Sequence, residues 1–438
     1  MEILRKTRSV CPECLRVVDA SLVAEADGVH LTKECPEHGS FDVNVWEGSV
    51  EAWRAWDVSN EKPDAMPDAK PETDGCPRDC GLCAAHKRSG CCVLLELTQR
   101  CNLRCPVCFA SAGEAAAPDD PTLESIAAQF DWLMAHGGPY NIQLSGGEPT
   151  MRDDLPEIIR LGREKGFSFF QLNTNGIRLA REAGYAQKLK DAGLNTVFLQ
   201  FDGLKDEIYI ALRGRPLLRE KLRAIRNCAE AGLGVVLVPT VTPGVNDKEL
   251  GNLLRFAEKQ MPAVRGVHFQ PISYFGRHTL PGEDRRITIP RLLREIEAQT
   301  GGRMKAADFS GGSAENPYCT IHASYMKVGG SLKPLKKRLS TNTTSKDSRE
   351  SVARQWSGPR LRVKSASGQS CELPDFDRFL AEAHNSTLAI SGMLFQDAYT
   401  LDLDRLQRCY VCESDPRYGM VPFCAYNLTG LDGKALYR

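Results

Sequence analysis

Cys101, Cys105 and Cys108 stand at C-x3-C-x2-C spacing in the run CNLRCPVCFA. Three thiolates so spaced can wrap three irons of a cubane cluster and leave the fourth iron without a protein ligand. A metal with an open coordination position can grip a substrate or cofactor. The competing reading is a closed structural iron–sulfur or zinc site. A second motif, LSGGEPT, argues for the open one. There Gly146 and Gly147 permit close backbone approach, Glu148 offers a carboxylate acceptor, and Pro149 suits a tight turn into a helix.

Further polar residues fall where strands are expected to end. They are Asn173 and Asn175 in LNTNG, Gln200 and Asp202 in LQFDG, Arg213 and Arg215 in ALRGRP, Thr240 and Asn246 in VPTVTPGVND, and Gln270 in VHFQPI. Each alone suits a helix cap or a loop brace equally well. Their shared location groups them, with Asn173, Asp202, Thr240 and Gln270 facing one mouth.

The chain of 438 residues carries 17 cysteines, an odd count that excludes complete disulfide pairing. No long apolar run opens the sequence, so disulfides are a poor explanation and metal a better one. CPEC holds Cys11 and Cys14, and CPEHG holds Cys35 and His38. A segment as short as 1–50 buries little core, so a metal would supply much of its stability. Either His38 or a cysteine from a later segment would close a tetrahedral site. CPRDCGLCAAHKRSGCC carries Cys76, Cys80, Cys83, Cys91 and Cys92; Cys319, Cys409, Cys412 and Cys424 lie near the other end. Cys228 reads as a core cysteine, and Cys371 has no evident place.

These residues must be positioned by a scaffold. Strand candidates at 93–98, 140–145, 168–173, 196–201, 234–240 and 266–272 alternate with helix candidates at 121–136, 152–165, 177–192, 215–232, 247–260 and 288–299. Six βα repeats imply an α/β fold, a partial (β/α)6 barrel whose site lies at the strand C-terminal ends. VHLTKE and SFDVNVW read as strands of a small N-terminal metal module. Residues 51–92 read as a Pro-rich connector and a cysteine segment, 93–300 as the barrel, and 301–438 as a C-terminal region without the rhythm.

Fifty-six basic residues balance fifty-six acidic ones. No overall field therefore recruits nucleic acid. The longest apolar stretches fall well short of a membrane span. A cytoplasmic protein is expected, with peripheral contact at the inner membrane face left open.

The triplet, the aromatic Phe109 that follows it, and the GGE motif on the next strand end identify the chain as a member of the radical SAM superfamily. That resemblance implies a [4Fe–4S] cluster that binds S-adenosylmethionine (SAM) and yields a 5′-deoxyadenosyl radical. It implies that Gly146, Gly147 and Glu148 lie at the SAM amino group, with Arg213 and Arg215 as candidates for its carboxylate. The arrangement CPRDCGLCAAHKRSGC before LLELTQRCNLRCPVCFA, the CPEC and CPEHG knuckle, and the ending RCYVCESDPRYGMVPFCAYN are more particular. They resemble the group that includes archaeal tetraether lipid synthase and enzymes described as pterin-dependent dimethyltransferases. The similarity covers most of the chain. It implies three [4Fe–4S] clusters and one mononuclear iron or zinc. Cys76, Cys80, Cys83 and one of Cys91 or Cys92 would ligate one auxiliary cluster. Cys319, Cys409, Cys412 and Cys424 would ligate another. Cys11, Cys14 and Cys35 would hold the single metal, with His38 or the remaining member of the Cys91/Cys92 pair.

The expected reaction is hydrogen abstraction at an unactivated carbon, with lipid carbon–carbon coupling as the sharp reading. It needs a long apolar channel and an anion site, for which the basic run Lys327, Lys333, Lys336, Lys337 and Arg338 is a candidate; the bland reading of that run is a solvated loop. The main competitor is radical methylation of a small molecule or a lipid, and a peptide-modifying maturase is third. A non-enzymatic electron carrier leaves GGEPT unexplained. A reduced ferredoxin or flavodoxin is the expected electron donor.

Overall fold

The N-terminal module is an antiparallel meander of β1 (Glu2–Val10), β2 (Val17–Glu25), β3 (Gly28–Cys35) and β4 (Gly39–Glu47), followed by α1 (Val50–Trp56). The two strands expected from sequence are β3 and β4, and β1 and β2 precede them in the sheet. Ala20, Leu22, Val29, Leu31, Val43 and Trp46 are buried on one face, as alternation dictates for a sheet covered on one side. The computed structural model describes residues 2–58, 63–64, 71, 73–113, 118–278, 286–312, 314–335, 343–359 and 375–438. Cys371, Lys336, Lys337 and Arg338 lie outside these residues.

The larger sheet is built from β5 (Cys92–Glu96), β6 (Asn141–Ser145), β7 (Phe170–Thr174), β8 (Thr196–Gln200), β9 (Gly234–Val238), the two-residue β10 (Thr240–Val241), β11 (Val264–Pro271), β12 (Thr320–Val328), β13 (Ser331–Leu335), β14 (Thr387–Met393), β15 (Val411–Asp415) and β16 (Gly419–Pro422). Strands β5, β6, β7, β8, β9 and β11 are parallel neighbours in chain order. They match the six expected strands within a few residues and form the curled, open sheet of a partial barrel. The helices between them are α2 (Leu123–Ala135), α3 (Leu155–Glu164), α4 (Ile177–Arg181), α5 (Tyr185–Ala192), α6 (Asp206–Arg213), α7 (Leu218–Glu230) and α8 (Leu250–Lys259), with α9 (Ile289–Gln299) after β11. Their buried sides follow the helical repeat, as in Leu155, Ile158, Ile159 and Gly162 of α3. Cys228 is buried on α7, as expected of a core cysteine.

Two helical expectations are corrected. The single helix foreseen over 177–192 is split, because Gly184 adopts φ +75° between α4 and α5. The short α6 was not foreseen; Asp206 at its first turn accepts from the backbone N of Leu217 and Leu218 at 2.9 Å, which ties α6 to α7.

The C-terminal third contains α10 (Ser345–Trp356), α11 (Asp375–Asn385), α12 (Leu403–Leu406) and α13 (Phe423–Tyr426). Its strands extend the sheet at both edges. β14 runs parallel to β11, and β15 runs parallel to β5, where Val411 is opposite Cys92 and Cys412 opposite Val93. β12 and β13 continue antiparallel beyond β14, and β16 beyond β15.

The N-terminal module docks on the 396–404 stretch through charge. Buried Lys33 donates from Nζ to Ser9 Oγ (3.0 Å) and to the carbonyls of Ala398 (2.7 Å) and Tyr399 (2.8 Å). Arg5 pairs with Asp402 and Asp404, and Thr7 donates to Asp402 at 2.7 Å. Lys33→Met leaves those acceptors unmatched at a buried interface. We expect it to lower stability by roughly 1.5–3 kcal/mol, with unchanged metal content in the N-terminal module. Thermal unfolding and metal analysis of the purified variant check both.

Candidate active site

The C-terminal ends of the parallel strands open into one cavity of about 740 Å³. Cys101, Cys105, Cys108, Phe109, Gly146, Gly147, Glu148, Asn173, Asn175, Gln200, Arg213, Thr240 and Gln270 line it, with Cys91 and Cys92. Asp202 lies fully buried beside Arg213. Arg215 is exposed on the protein surface, 3.7 Å from Glu220.

The triplet loop leaves β5 and passes under the GGE segment. Gly146 has φ +120°, and a Cβ there would meet the Thr98 carbonyl oxygen at 2.3 Å. A Cβ on Gly147 would meet the Arg100 carbonyl oxygen at 2.4 Å. The two glycines thus let the end of β6 lie directly on the backbone that carries Cys101. The Glu148 carboxylate accepts from Thr150 N (3.1 Å) and Oγ1 (2.6 Å), Thr174 Oγ1 (2.7 Å) and Asn175 N (2.7 Å). These bonds knit β6 to β7; three of them fall on Oε1 and one on Oε2, which keeps acceptor capacity toward the cavity.

Arg213 is likewise tied into the scaffold. Its guanidinium is bidentate on Asp202 (2.7 and 2.8 Å) and donates to Thr240 Oγ1 at 2.8 Å and the Val107 carbonyl at 3.3 Å. Burial opposes its charge, but the Asp202 carboxylate more than offsets that and raises its pKa. The fork braces the triplet loop from the edge of the cavity, and Arg215 lies outside the cavity. Arg277, which sequence reasoning missed, donates to the carbonyls of Cys105 (2.8 Å), Ser111 (3.4 Å) and Ala112 (2.9 Å). Fully buried Lys221 donates to the Asn175 carbonyl at 2.6 Å and Gln200 Oε1 at 3.3 Å, and burial lowers its pKa to about 8. Neither cation sits in a local pattern that marks it.

Cys11, Cys14, Cys35 and His38 bring one ligand atom each to within 4.8 Å of one another. Cys11 Sγ and Cys35 Sγ lie 3.5 and 3.4 Å from His38 Nδ1, and Cys14 Sγ lies 3.9 Å from Cys35 Sγ. This is a Cys3His tetrahedron for zinc or iron, closed by His38 rather than by Cys91 or Cys92. Hydrogen bonding from the Glu37 backbone and from His38 lowers the Cys35 thiol to about 6, which favours the thiolate a metal needs.

The remaining cysteines form other groups. Cys80 interacts with Cys76 and Cys83, and Tyr437 Oη accepts from the Cys80 backbone N at 3.1 Å. Cys409 lies within electrostatic reach of Cys319, and Cys412 and Cys424 lie within reach of Cys409. Arg405 donates to Cys319 Sγ at 3.3 Å and the Gln396 backbone N to Cys424 Sγ at 3.2 Å, the hydrogen bonds to sulfur that suit iron–sulfur ligands. Cys91 and Cys92, with sulfurs 3.8 Å apart, lie near Glu315, with Cys92 near Cys412.

The far wall of the cavity was not foreseen. His268, Glu315, His322 and Trp356 line it together with Gln143 and Phe198. A usable signal was present: NIQLS and the start of FQLNT alternate polar and apolar residues inside strands otherwise read as wholly buried.

The donor set fits an iron–sulfur cluster at the triplet. Three thiols open onto one cavity, and among the described residues only the Cys3His group converges as closely as a single ion demands. A cubane spaces its thiolates more widely than one ion does. Burial pushes the Cys101 thiol up to about 12, so metal binding there must displace protons.

The model of the Radical SAM superfamily matches residues 95–257, and that of the HMPTM N-terminal zinc ribbon domain matches residues 3–47. The chain is similar to 7,8-dihydro-6-hydroxymethylpterin dimethyltransferase of Methanocaldococcus jannaschii, 34% identical over 485 residues, which cover 97% of this chain and 93% of that protein. Fe-coproporphyrin III synthase of Methanosarcina barkeri is 34% identical over 187 residues, covering 42% of this chain and 45% of that protein. Among solved structures, Streptococcus suis SuiB bound to precursor peptide SuiA aligns with a TM-score of 0.41 and 15% identity, over 49% of this chain and 46% of that one.

Two outcomes are expected. Arg213→Met strands Asp202 as a buried, unpaired carboxylate, and should lower stability by roughly 3–5 kcal/mol, read by chemical denaturation. Burial also lowers the pKa of His86 to about 4 and of His268 to about 3. Their unfolded forms take up protons below about pH 6.5, while the folded ones stay neutral. Stability should therefore fall as pH drops below about 6.5. His268→Gln should flatten that fall, measured as the apparent unfolding temperature at pH 7.5 and pH 5.

Proposed function

The chain belongs to the radical SAM superfamily, and from that premise we propose that it methylates an unactivated carbon of a small, flat, polar heterocycle of the dihydropterin kind. The observation that carries this reading is the make-up of the cavity wall. Gln143, Asn173, Gln200, His268, Glu315 and His322 face the space in which the substrate must lie. Such amides, imidazoles and a carboxylate can hydrogen-bond a polar heterocycle, and the apolar side chains of Leu94, Val107, Phe109, Phe198 and Met393 in the same lining can meet its flat faces. The near full-length similarity to a pterin dimethyltransferase supports the same reading. On that similarity it is preferred to lipid coupling. Of the basic run, Lys327 and Lys333 lie exposed on the β12–β13 hairpin. Among the described residues no helix is long and apolar enough to cross a membrane.

The cluster on Cys101, Cys105 and Cys108, when bound with SAM, would supply the 5′-deoxyadenosyl radical that removes hydrogen from a carbon offering no acidic proton; a second SAM would give the methyl group and leave as S-adenosylhomocysteine, with one electron from the reductant for each SAM consumed. The chain's own residues hold the reactants. Asn175 is fixed by Glu148 and donates to Asn102 Oδ1 at 2.7 Å, beside Cys101. Phe109 packs against Phe423 with ring centroids 5.4 Å apart, closing the side of the cavity toward the C-terminal cysteines. Cys76, Cys80 and Cys83, and the set Cys319, Cys409, Cys412 and Cys424, would hold auxiliary clusters that pass electrons, with a reduced ferredoxin or flavodoxin as the source. The Cys3His site would serve structure.

Anaerobic incubation of the iron-reconstituted protein with SAM, a reductant and 6-hydroxymethyl-7,8-dihydropterin should yield 5′-deoxyadenosine and a pterin heavier by whole CH2 increments. Cys105→Ala should abolish both products. Joined lipid chains from a lipid extract, with no methylated pterin, would overturn the reading.

A further inference from the structure

The register of three strands places His268, Ser391 and His322 side by side. His268 on β11 is opposite Ser391 on β14, and Ser391 is opposite His322 on β12. Residues paired across neighbouring strands share a face, and His268 and His322 both reach the cavity. Strand spacing makes the row roughly 10 Å long, enough for the edge of a two-ring molecule.

The chemistry of each member is set by its neighbours. His268 Nδ1 lies 2.8 Å from Ser391 Oγ. The His268 ring packs against Phe198 and Trp356, with centroids 5.6 and 5.9 Å away, and those two rings also touch each other at 4.7 Å. Burial keeps this imidazole neutral across the physiological range. His322 Nε2 lies 3.1 Å from Glu315 Oε1, which also accepts from Thr320 Oγ1 at 2.9 Å. Burial disfavours the Glu315 carboxylate, but His322 and Thr320 outweigh that and hold its pKa below the ordinary range. An ionised carboxylate only accepts hydrogen bonds, so Nε2 of His322 donates to Glu315. Nδ1, an acceptor in the neutral ring, is left to the cavity.

We propose that His268 and His322, braced by Ser391 and oriented by Glu315, form the recognition wall for the substrate's hydrogen-bonding edge. The ligand class is a flat bicyclic heterocycle with N–H donors on one edge. The aromatic rings of Phe198 and Trp356 supply the apolar surface such a ring needs. The assignment rests on the methylation reading and adds where its substrate is held. His322 is a binding residue here, and Glu315 positions it.

The test is equilibrium binding of 6-hydroxymethyl-7,8-dihydropterin to the iron-reconstituted, SAM-loaded protein under anaerobic conditions, measured by equilibrium dialysis. His322→Ala should weaken binding roughly tenfold, the worth of one matched hydrogen bond. His322→Gln, which keeps an acceptor, should recover most of the loss. Glu315→Gln, which keeps the length of the side chain but not the charge that orients His322, should weaken binding about threefold. It decides the matter if His322→Ala does not retain its iron. Wild-type binding with unchanged affinity in His322→Ala, or in Glu315→Gln where that variant must decide, overturns the wall and leaves the methylation reading standing. No binding of the pterin by the wild-type protein overturns the dihydropterin reading, and the wall with it.

Discussion

Three thiols have to be held in place by a loop with almost no regular structure of its own. Residues 101–113 form neither helix nor strand beyond the bridge between Cys108 and Arg277. The loop is fixed instead by guanidinium groups that take its carbonyl oxygens. Arg277 takes those of Cys105, Ser111 and Ala112, and Arg213 that of Val107. With carbonyls drawn toward cations, backbone N–H groups are free to face sulfur, as Leu103 N does toward Cys101 at 3.4 Å. Donors to sulfur stabilise the negative charge a cluster carries. The same arginines thus order the loop and set its electrostatics.

That bracing depends on pairs the local sequence does not reveal. The triplet and the GGE motif were legible, because fixed spacing and paired glycines are local signals. So were the six parallel strands, whose apolar runs and intervening helices repeat in order. The Arg213–Asp202 pair was legible only as two polar residues near one mouth. Its closure is a tertiary event, and it ties Arg213 into the scaffold. Arg277 and Lys221 had no pattern at all. Each acts on backbone atoms far away in sequence, and backbone acceptors carry no residue identity.

The C-terminal third failed to read for a related reason. Periodicity reports an element and its neighbour, whereas β14 and β15 join opposite edges of a sheet built long before them in sequence. Pairing of β15 with β5 is what sets Cys412 beside Cys92. The cysteine groups therefore sort by strand order and not by distance along the chain. The small Cys3His module could be read further, because both its knuckles lie in one meander. Only the fourth ligand was open, and the return of the chain from β3 to β4 brings His38 to the other three.

Parallel strands covered on both faces are usually apolar throughout. In this sheet Ile142, Leu144, Leu172, Val197 and Leu199 are fully buried, while Gln143, Asn173, Phe198 and Gln200, at the alternate positions, line the cavity. The inner face departs from the rule that local preference and global burial should agree, and such departures concentrate at functional sites. Each buried polar group there costs free energy unless something matches it. Packing alone would have favoured valine or leucine. The outer face obeys the rule. Polar positions in a cavity that also carries Leu94, Val107, Phe109 and Met393, continued on β11 and β12 by His268 and His322, are the property of the molecule that points to its substrate's chemistry.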